Sequence, residues 1–569
     1  MNYILGINSA YHESSACLLA DGKLVAFAEE ERFTRAKHAK IASIDNPHIL
    51  PYSAIDFCLE FAGVKFAQLD FIGYSFNPQM RLKNIALDKN YVSGSWGSYE
   101  GERCYYDKLL GIPALLSERA NAEVDTKFLW IDHHKCHSAS SFLVSPFDEA
   151  AILSIDGIGE VVTTSLSVGK NNRIREIAQM SYPDSIGLLW EKIAKYLGFT
   201  EYDACKVMGL AAYGQPNIHI EAFKSLAVVK EGSFSIDNSR IHFRADDFSG
   251  LQSLFGKRRI PGEPIEKRHA DIAAALQAIT EIILISLASF LRKKTNSKNL
   301  CLSGGVALNC VANSALMEKS GFEKVFVQPV AHDAGTSIGA AFFIHNQILD
   351  NKRSYFLENV FLGPEFSDKA IIEALNKNGL VYEYADDVVH MTAGLLSRGK
   401  IVGWFQGRME AGPRALGNRS LLADPRNPHV KELINSKVKH RELFRPFAAS
   451  ILDEYADEWF EIPQRWQPLY YMLMVAKIKA EKQEKVPSVL HVDGTCRLQL
   501  VNQAINCRFH ALISAFEELT GVPLLLNTSF NDSEPIVCSP EDAIRTFLKT
   551  EIDAIVLNKF VVLRERNVR

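Results

Sequence analysis

Residues 131–160 read IDHHKCHSASSFLVSPFDEAAILSIDGIGE. The second half contains an apolar run, AAILSID, that ends on Asp156 and turns at Gly157; TTSLSVG and IREIAQM follow. Short runs rich in branched residues and separated by turn residues read as strand, turn, strand, turn, strand. The first forty residues repeat the plan with YILGIN, SSACLLA and KLVAFAEEE, Asp21-Gly22 forming the second turn.

Such a duplicated three-strand unit predicts an α/β protein whose N-terminal part has the actin-like, sugar-kinase-like ATPase fold. Two halves would then enclose a nucleotide cleft. The first half of the quoted stretch adds chemistry. His133 and His137 sit four apart among small residues (Ser138, Ala139, Ser140, Ser141) that tolerate a helix. Both imidazoles then fall on one face, with His134 roughly 100° away. Two imidazoles and the Asp156 carboxylate suit a divalent transition metal and leave positions open for a substrate oxygen. Surface or hydrogen-bonded core histidines are the plain alternative; the strand-terminal Asp-Gly just downstream favours metal. A zincin-type peptidase is disfavoured, because its HExxH carries glutamate where His134 stands.

Composition narrows the class. A length of 569 residues fits two to four domains of ordinary size. Hydrophobic content of 47% and charged content of 23% are those of a globular protein. A formal net charge of −4 argues against a general nucleic-acid binder. Ten cysteines stand singly with no CxxC pair, as reduced thiols do, and no basic leader precedes an apolar run at the N-terminus. A cytoplasmic location is expected. The most apolar long segment, 272–291, contains Gln277, Thr280 and Glu281. A membrane span would hold that glutamate near mid-bilayer at a cost of a few kcal/mol, so a buried helix is expected and no membrane partner.

Several turns are candidate sites. His12 and Glu13 lie in the first turn of the first unit, where an imidazole could act as general base toward an alcohol or simply bond to backbone. EEERFTRAKHAK is a mixed-charge run of the kind that forms solvated faces. Residues 186–197 have apolar side chains at helical spacing. KVMGLAAYG, with Gly209 and Gly214, reads as a loop able to approach a ligand backbone, and 217–265 carry little pattern. KNLCLSGGVALNCVANSALMEK reads as strand, Gly304-Gly305 turn and helix, a natural anion cradle. The chain has no GxxxxGK[ST], so this is not a P-loop. VFVQPVAHDAGTSIGAAFF gives another strand, a turn with His332, Asp333 and Gly335, and a small-residue helix. Asp333 is a candidate fourth metal ligand as well as a helix cap.

Composition shifts over 346–365, which separates an expected domain 1–350 from another at 361–569. The second domain opens with the strand IVGWFQG and continues as RMEAGPRALGNRSLLADPR. Residues 408–445 hold nine Lys/Arg and four Asp/Glu, a local +5 in a chain of −4. That imbalance marks an anion site. Arg414 lies in a glycine-flanked loop, as a residue held for bidentate phosphate or carboxylate binding would. Arg497 follows on the strand of HVDGTCRLQLV, and Asn527 and Ser529 end the apolar strand of VPLLLNTSFN.

Taken together, EERFTRAKH, HHKCHSASSF with SIDGIG, KVMGLAAYG, LSGGVALN, HDAG, MEAGPRALGNRSLLADPR, VKHRELFRPFA, HVDGTCRLQ and LLLNTSFN resemble the NodU/CmcH-type O-carbamoyltransferases over essentially the full length. Members of that family decorate antibiotics and signalling molecules. The resemblance implies an N-terminal domain like the universal tRNA threonylcarbamoyl transferases and a C-terminal YrdC-like α/β domain. It implies that ATP (with magnesium) and carbamoyl phosphate form carbamoyl adenylate in the YrdC-like domain. The carbamoyl group then passes to a hydroxylated small molecule at the N-terminal metal site. By position, His133, His137, Asp156 and Asp333 match the metal ligands; iron leads, with zinc and manganese as alternatives. His12 matches the histidine that activates the acceptor hydroxyl, and Lys37 a motif lysine near the transfer site. Gly304, Gly305, Asn309 and Gly335 match the nucleotide side of the N-terminal domain. Arg414, Lys439, Arg445, Arg497, Asn527 and Ser529 match positions that hold carbamoyl adenylate or its precursors.

Departures from the family pattern exist. HES stands for the usual HDS, DACKVMGLAAYG for EGKVMGLAPYG, and His332 occupies a frequent glycine position, which would bring a further imidazole toward the metal. The chemistry agrees with the parts: two anionic substrates need fixed cations, and adenylation gives carbamate a good leaving group. The rival readings are a sugar-kinase-like phosphotransferase, a tRNA-modifying protein, and a catalytically silent nucleotide-binding partner. Residues 75–120 are expected to help line the acceptor cleft, but they do not reveal the acceptor.

Overall fold

The computed structural model describes all residues except 84–90, 122, 463, 465, 568 and 569; part of the expected acceptor region, 84–90, therefore lies outside the described residues. The chain forms two compact units. The first comprises Met1–Glu30 and His38–Leu357, and the second comprises Glu31–Lys37 and Glu358–Arg569. Seven residues near the N-terminus thus belong to the C-terminal unit.

The first unit contains two five-stranded sheets of matching plan. One has the order β3-β2-β1-β4-β5, from β1 (Tyr3–Asn8), β2 (Ser15–Ala20), β3 (Lys23–Glu29), β4 (Phe71–Tyr74) and β5 (Phe128–Trp130). The other has the order β8-β7-β6-β11-β12, from β6 (Glu149–Ile155), β7 (Val162–Lys170), β8 (Arg173–Ser181), β11 (Asn299–Ser303) and β12 (Lys324–Val327). In each, the leading strand pairs antiparallel on one side and parallel on the other. Same order and same senses make this a duplicated actin-like α/β unit. Ile4, Leu5 and Ile7 of β1 are all buried, which is why the strand reads as a continuous apolar run.

Small residues set the packing that positions the histidines. A Cβ on Gly6 would lie 2.0 Å from the Ser337 carbonyl oxygen, and one on Gly339 would lie 1.8 Å from that of Cys136. The helix Gly335–Phe342 is therefore pressed between β1 and the helix His133–Phe142, and larger side chains at these points would push the layers apart.

Two local expectations are corrected. KVMGLAAYG is mostly helix, Ala204–Ala211, with Val207, Gly209 and Leu210 buried. Burial of that face outweighs the modest helix cost of one glycine. Gly214 does make a close backbone approach, but to Ala270: an added Cβ would sit 2.0 Å from its carbonyl oxygen. The weakly patterned 217–265 contain helices Ile220–Leu226 and Ser249–Phe255 and a hairpin of β9 (Ala227–Lys230) and β10 (Ser233–Ile236).

The long apolar segment is the helix Lys267–Thr295, which by length and composition could cross a membrane. Here most of its apolar side chains, among them Ile272, Leu276, Ile283 and Leu287, are buried in the first unit, while Ile282 is exposed. Its polar interruptions are bonded within the unit: Thr280 receives the Trp190 indole N–H at 2.9 Å, and Gln277 pairs with Asn309.

The second unit is α/β around one mixed ten-stranded sheet, ordered β13-β22-β21-β14-β15-β20-β16-β19-β18-β17. Its strands are β13 (Glu383–Tyr384), β14 (Val402–Phe405), β15 (Arg419–Ala423), β16 (Ala448–Leu452), β17 (Phe460–Glu461), β18 (Val475–Ile478), β19 (Thr495–Val501), β20 (Leu524–Ser529), β21 (Ala554–Leu557) and β22 (Phe560–Leu563). Register aligns Ala448 of β16 with Arg497 of β19 on one side and with Asn527 of β20 on the other. Arg497 and Asn527, thirty positions apart in the chain, are thereby brought to one level of the sheet.

Candidate metal centre and anion site

His133, His137, Asp156 and Asp333 converge in the first unit; all are buried, and one donor atom from each lies within 4.8 Å of every other. His133 Nε2 is 3.4 Å from Asp156 Oδ2 and 3.5 Å from Asp333 Oδ1; His137 Nε2 is 3.7 and 3.6 Å from the same atoms. Bonds of about 2.1 Å to a tetrahedral ion would set neighbouring donors about 3.4 Å apart. His133 Nδ1 meets the Ser75 carbonyl at 3.2 Å. Donating its proton there would leave the Nε2 lone pair facing two carboxylates. His137 is fully buried with neither ring nitrogen hydrogen-bonded. Lone pairs converging in this way need a shared cation, so the four residues could hold a metal ion. In the metal-free cluster a proton takes that place. Burial opposes it, yet Asp333 and Asp156 raise the His133 pKa well above the usual range.

The surroundings aim these ligands. Glu160 Oε1 accepts the amide of His133 at 2.9 Å and that of Asn77 at 2.7 Å, capping the helix that carries both histidines. The Gly305 amide donates to Asp156 Oδ1 at 2.9 Å. Gly304 has φ +90°, and a Cβ there would lie 2.0 Å from the Ile155 carbonyl oxygen. A Cβ on Gly335 would lie 1.9 Å from the Val330 carbonyl oxygen. Asn309 caps the helix Cys310–Lys319 through Ala312 N. These four residues thus have structural work beside the metal centre. Glu191, on the helix read from sequence only as packing, is raised to about 8 by burial and then by the Asp156 charge. His332 does not join the centre: its Nδ1 accepts the Ala334 amide, and its Nε2 faces Glu29 at 3.5 Å. His134 is buried with both nitrogens unbonded, and burial followed by His133 and His137 lowers it to about 3.

His12 sits in the turn after β1, with its Nδ1 buried and unbonded. The Asn8 side chain donates to the His12 and Glu13 carbonyls, which holds Glu13 at φ +53°. Glu13 then bonds His38 Nδ1 at 2.5 Å; His38 stacks on Tyr202 at 4.5 Å, and His12 meets the same ring edge-on at 5.4 Å. The Glu13–His38 pair was not legible in sequence, because a run so dense in charge reads as a solvated face. In the expected acceptor region, Arg81 and Glu102 form a buried bidentate pair, and Trp96 and Tyr105 pack with Tyr11.

In the second unit, Glu410 holds the loop that bears Arg414. Its Oε1 accepts the amides of Leu416, Asn418 and Arg419 at 2.7, 2.8 and 3.1 Å. From the sheet, Asn527 donates to the Ala415 carbonyl and Gln499 to that of Leu416. Asn527 also bonds Ser450 and Gln499, so the loop rests on a buried amide–hydroxyl network. Gly417 takes φ +106°, where an added Cβ would strike Phe509. Lys439 is 3% exposed, and its ammonium donates to the Ser529 carbonyl, the Ser529 hydroxyl and Asn531 Oδ1, all neutral oxygens. Burial, then Arg441, Arg445 and Lys37, push its pKa well below the ordinary lysine value. Lys37 belongs to the second unit. Glu410 is the residue the sequence hid, though an acid four positions before Arg414 in a basic run was its signal.

A duplicated actin-like unit with a buried His/Asp centre, continuous with an α/β unit bearing a cation cluster, defines a two-centre α/β protein. Residues 3–342 match the family described as Carbamoyltransferase N-terminus, and residues 393–564 match Carbamoyltransferase C-terminus. The chain belongs to the carbamoyltransferase family and is an enzyme of that class. It is 38% identical to nodulation protein NolNO of Sinorhizobium fredii, across 98% of this chain and 79% of that one. It is 37% identical to an uncharacterized protein of Synechocystis, across 99% and 97%. Among solved structures, full-length HypF in the phosphate- and nucleotide-bound form gives a TM-score of 0.33 at 15% identity, covering 62% of this chain and 56% of that one. At such a score the strand order, not the likeness, establishes the fold.

Proposed function

We propose that the enzyme is an ATP-dependent O-carbamoyltransferase that uses carbamoyl phosphate, makes carbamoyl adenylate in the second unit, and carbamoylates a small-molecule hydroxyl in the first. The observation that carries this reading is the buried Lys439 ammonium. Its hydrogen-bond partners are neutral oxygens, and the cations acting on it outweigh the Asp532 carboxylate; such a site is relieved by a polyanion. A sugar-kinase-like phosphotransferase would have no use for it.

In the second unit Arg414 is held on a loop pinned by Glu410, Asn527 and Gln499, ready for bidentate contact with phosphate or carboxylate. Lys439, Arg445 and Arg497 add charge, and Ser529 and Asn527 supply polar contacts. Magnesium accompanies the nucleotide. In the first unit His12 takes the proton from the acceptor oxygen as that oxygen attacks the carbamoyl carbon and AMP leaves. His133, His137, Asp156 and Asp333 would hold a divalent ion, iron before zinc or manganese, which supplies Lewis-acid polarisation when bound.

The test is product analysis with the purified protein, ATP and carbamoyl phosphate. AMP with pyrophosphate is expected; ADP as the nucleotide product would replace this reading with a kinase.

A further inference from the structure

We propose that Asn8 is a positioning residue shared by the two parts of the first-unit site. One end of its amide holds the turn that carries His12; the other end, through Ser75, aims His133 and Asp333. The separation between base and ion is thereby set by one buried side chain. This rests on the reading above, in which His12 is the base and the four ligands hold a divalent ion.

Asn8 is the last residue of β1 and is 1% exposed. Its amide offers two protons and one acceptor oxygen, and all are engaged. Nδ2 donates to the His12 carbonyl at 3.2 Å and to the Glu13 carbonyl at 2.9 Å, while Oδ1 accepts the Ser75 hydroxyl at 3.0 Å. Turning the amide over would set its oxygen against two carbonyl oxygens, so one orientation is open to it. Glu13 has φ +53°, a conformation that residues with a side chain rarely adopt, and the two bonds from Nδ2 stabilise the turn that contains it.

Ser75 carries the constraint across to the metal centre. Its amide donates to the Ile7 carbonyl at 3.0 Å, which prolongs the pairing of β4 with β1. Its nitrogen is thus tied to one residue of β1 and its hydroxyl to the next. The carbonyl between these anchors is the one that His133 Nδ1 meets at 3.2 Å. Thr336 extends the bridge to a second ligand: its hydroxyl donates either to Ser75 Oγ, 2.8 Å away, or to the Asp333 carbonyl, 2.5 Å away. Asn8, Ser75 and Thr336 are all buried. Apolar side chains could fill the same space, but they would set no direction; a buried polar network with every member bonded fixes distance and angle at each joint.

The experiment uses the full-length protein with isotope-labelled histidine rings, divalent cobalt as the probe ion, and the variants Asn8→Ala and Ser75→Ala. Cobalt affinity is measured by competition with a chelator. The His12 ring resonance, identified by its loss in His12→Gln, is followed with and without the ion. Wild type should show one His12 resonance, displaced by the paramagnetic ion. In both variants the affinity should fall about tenfold or more, as it does for outer partners of metal ligands, and the displacement of His12 should shrink or split. A residue that served stability alone would lower the melting temperature and leave that displacement where it was. Asn8→Ala protein that changes only one of the two readouts, or neither, would overturn the shared role; if Asn8→Ala does not fold, Ser75→Ala decides by the same criteria. Wild type that takes up no cobalt would defeat the metal reading and the Asn8 proposal with it, whereas cobalt uptake with unchanged variants defeats the proposal alone.

Discussion

The Gly305 amide donates to Oδ1 of Asp156 at 2.9 Å, while Oδ2 of that carboxylate faces the Nε2 atoms of His133 and His137 at 3.4 and 3.7 Å. One carboxylate is thus fastened by the glycine turn and presented to the imidazoles by its other oxygen. The turn after β11 therefore orients one of the four converging side chains.

Gly304→Ala should break this arrangement. Its φ of +90° and the 2.0 Å approach to the Ile155 carbonyl leave no room for a methyl group. Strained backbone and overpacking together should cost about 3 kcal/mol or more. The expected result is a lower melting temperature and loss of bound metal. Gly63→Ala is the control, since its φ is also positive, at +64°, but nothing lies within 4 Å of an added Cβ.

Metal uptake should release protons. His133 in the metal-free cluster is held well above its usual range against burial by Asp333 and Asp156, so at neutral pH it carries a proton that a metal must displace. Apparent affinity should rise with pH up to the His133 value. Calorimetry in buffers of differing ionisation enthalpy measures the proton count; a count of zero at pH 7 would contradict the cluster. His133→Ala should lose the metal and still release pyrophosphate.

Lys439→Met should make the ligand-free protein more stable and useless. Because burial and neighbouring cations lower the folded-state pKa, the unfolded chain binds that proton more readily. The resulting penalty sets in as pH falls below about 10.4 and is complete at the folded value. Removing the amine should raise the melting temperature at pH 7 and abolish the stabilisation that ATP gives the wild type. A variant still stabilised by ATP would remove Lys439 from the nucleotide site.

Glu410→Ala should free three loop amides at once. With each buried orphan costing on the order of 1 kcal/mol or more, a loss of about 3 kcal/mol is expected. Glu410→Gln keeps one acceptor oxygen and should recover much of it. The variants separate loop positioning from charge: a rise in KM for carbamoyl phosphate in the alanine form, relieved in the glutamine form, is the expected pattern.

The local patterns were legible. Both three-strand units follow from alternation of short apolar runs and turn residues, and the i, i+4 spacing put His133 and His137 on one face. Asp333 was reachable as an acid in a turn after an apolar strand, where a ligand role and a helix cap do not exclude each other. What sequence could not give was anything settled by long-range contact. The helix over KVMGLAAYG is stabilised by burial, which outweighs its glycine. His332, next to a ligand, is drawn off by Glu29 on another strand. Glu410 acts through amides six to nine residues away, and Arg32 and Arg35 bond carbonyls 380 and 501 positions later in the chain.

That early segment also limits how the enzyme can be dissected. A polypeptide started at Glu358 would lack Phe33, which covers Met409, Ile536 and Cys538, and the guanidinium groups that tie down Gly412 and Ile536. An isolated back half would be sticky and incomplete unless residues 31–37 were spliced onto it, so separate expression of the two halves divides the protein in the wrong place.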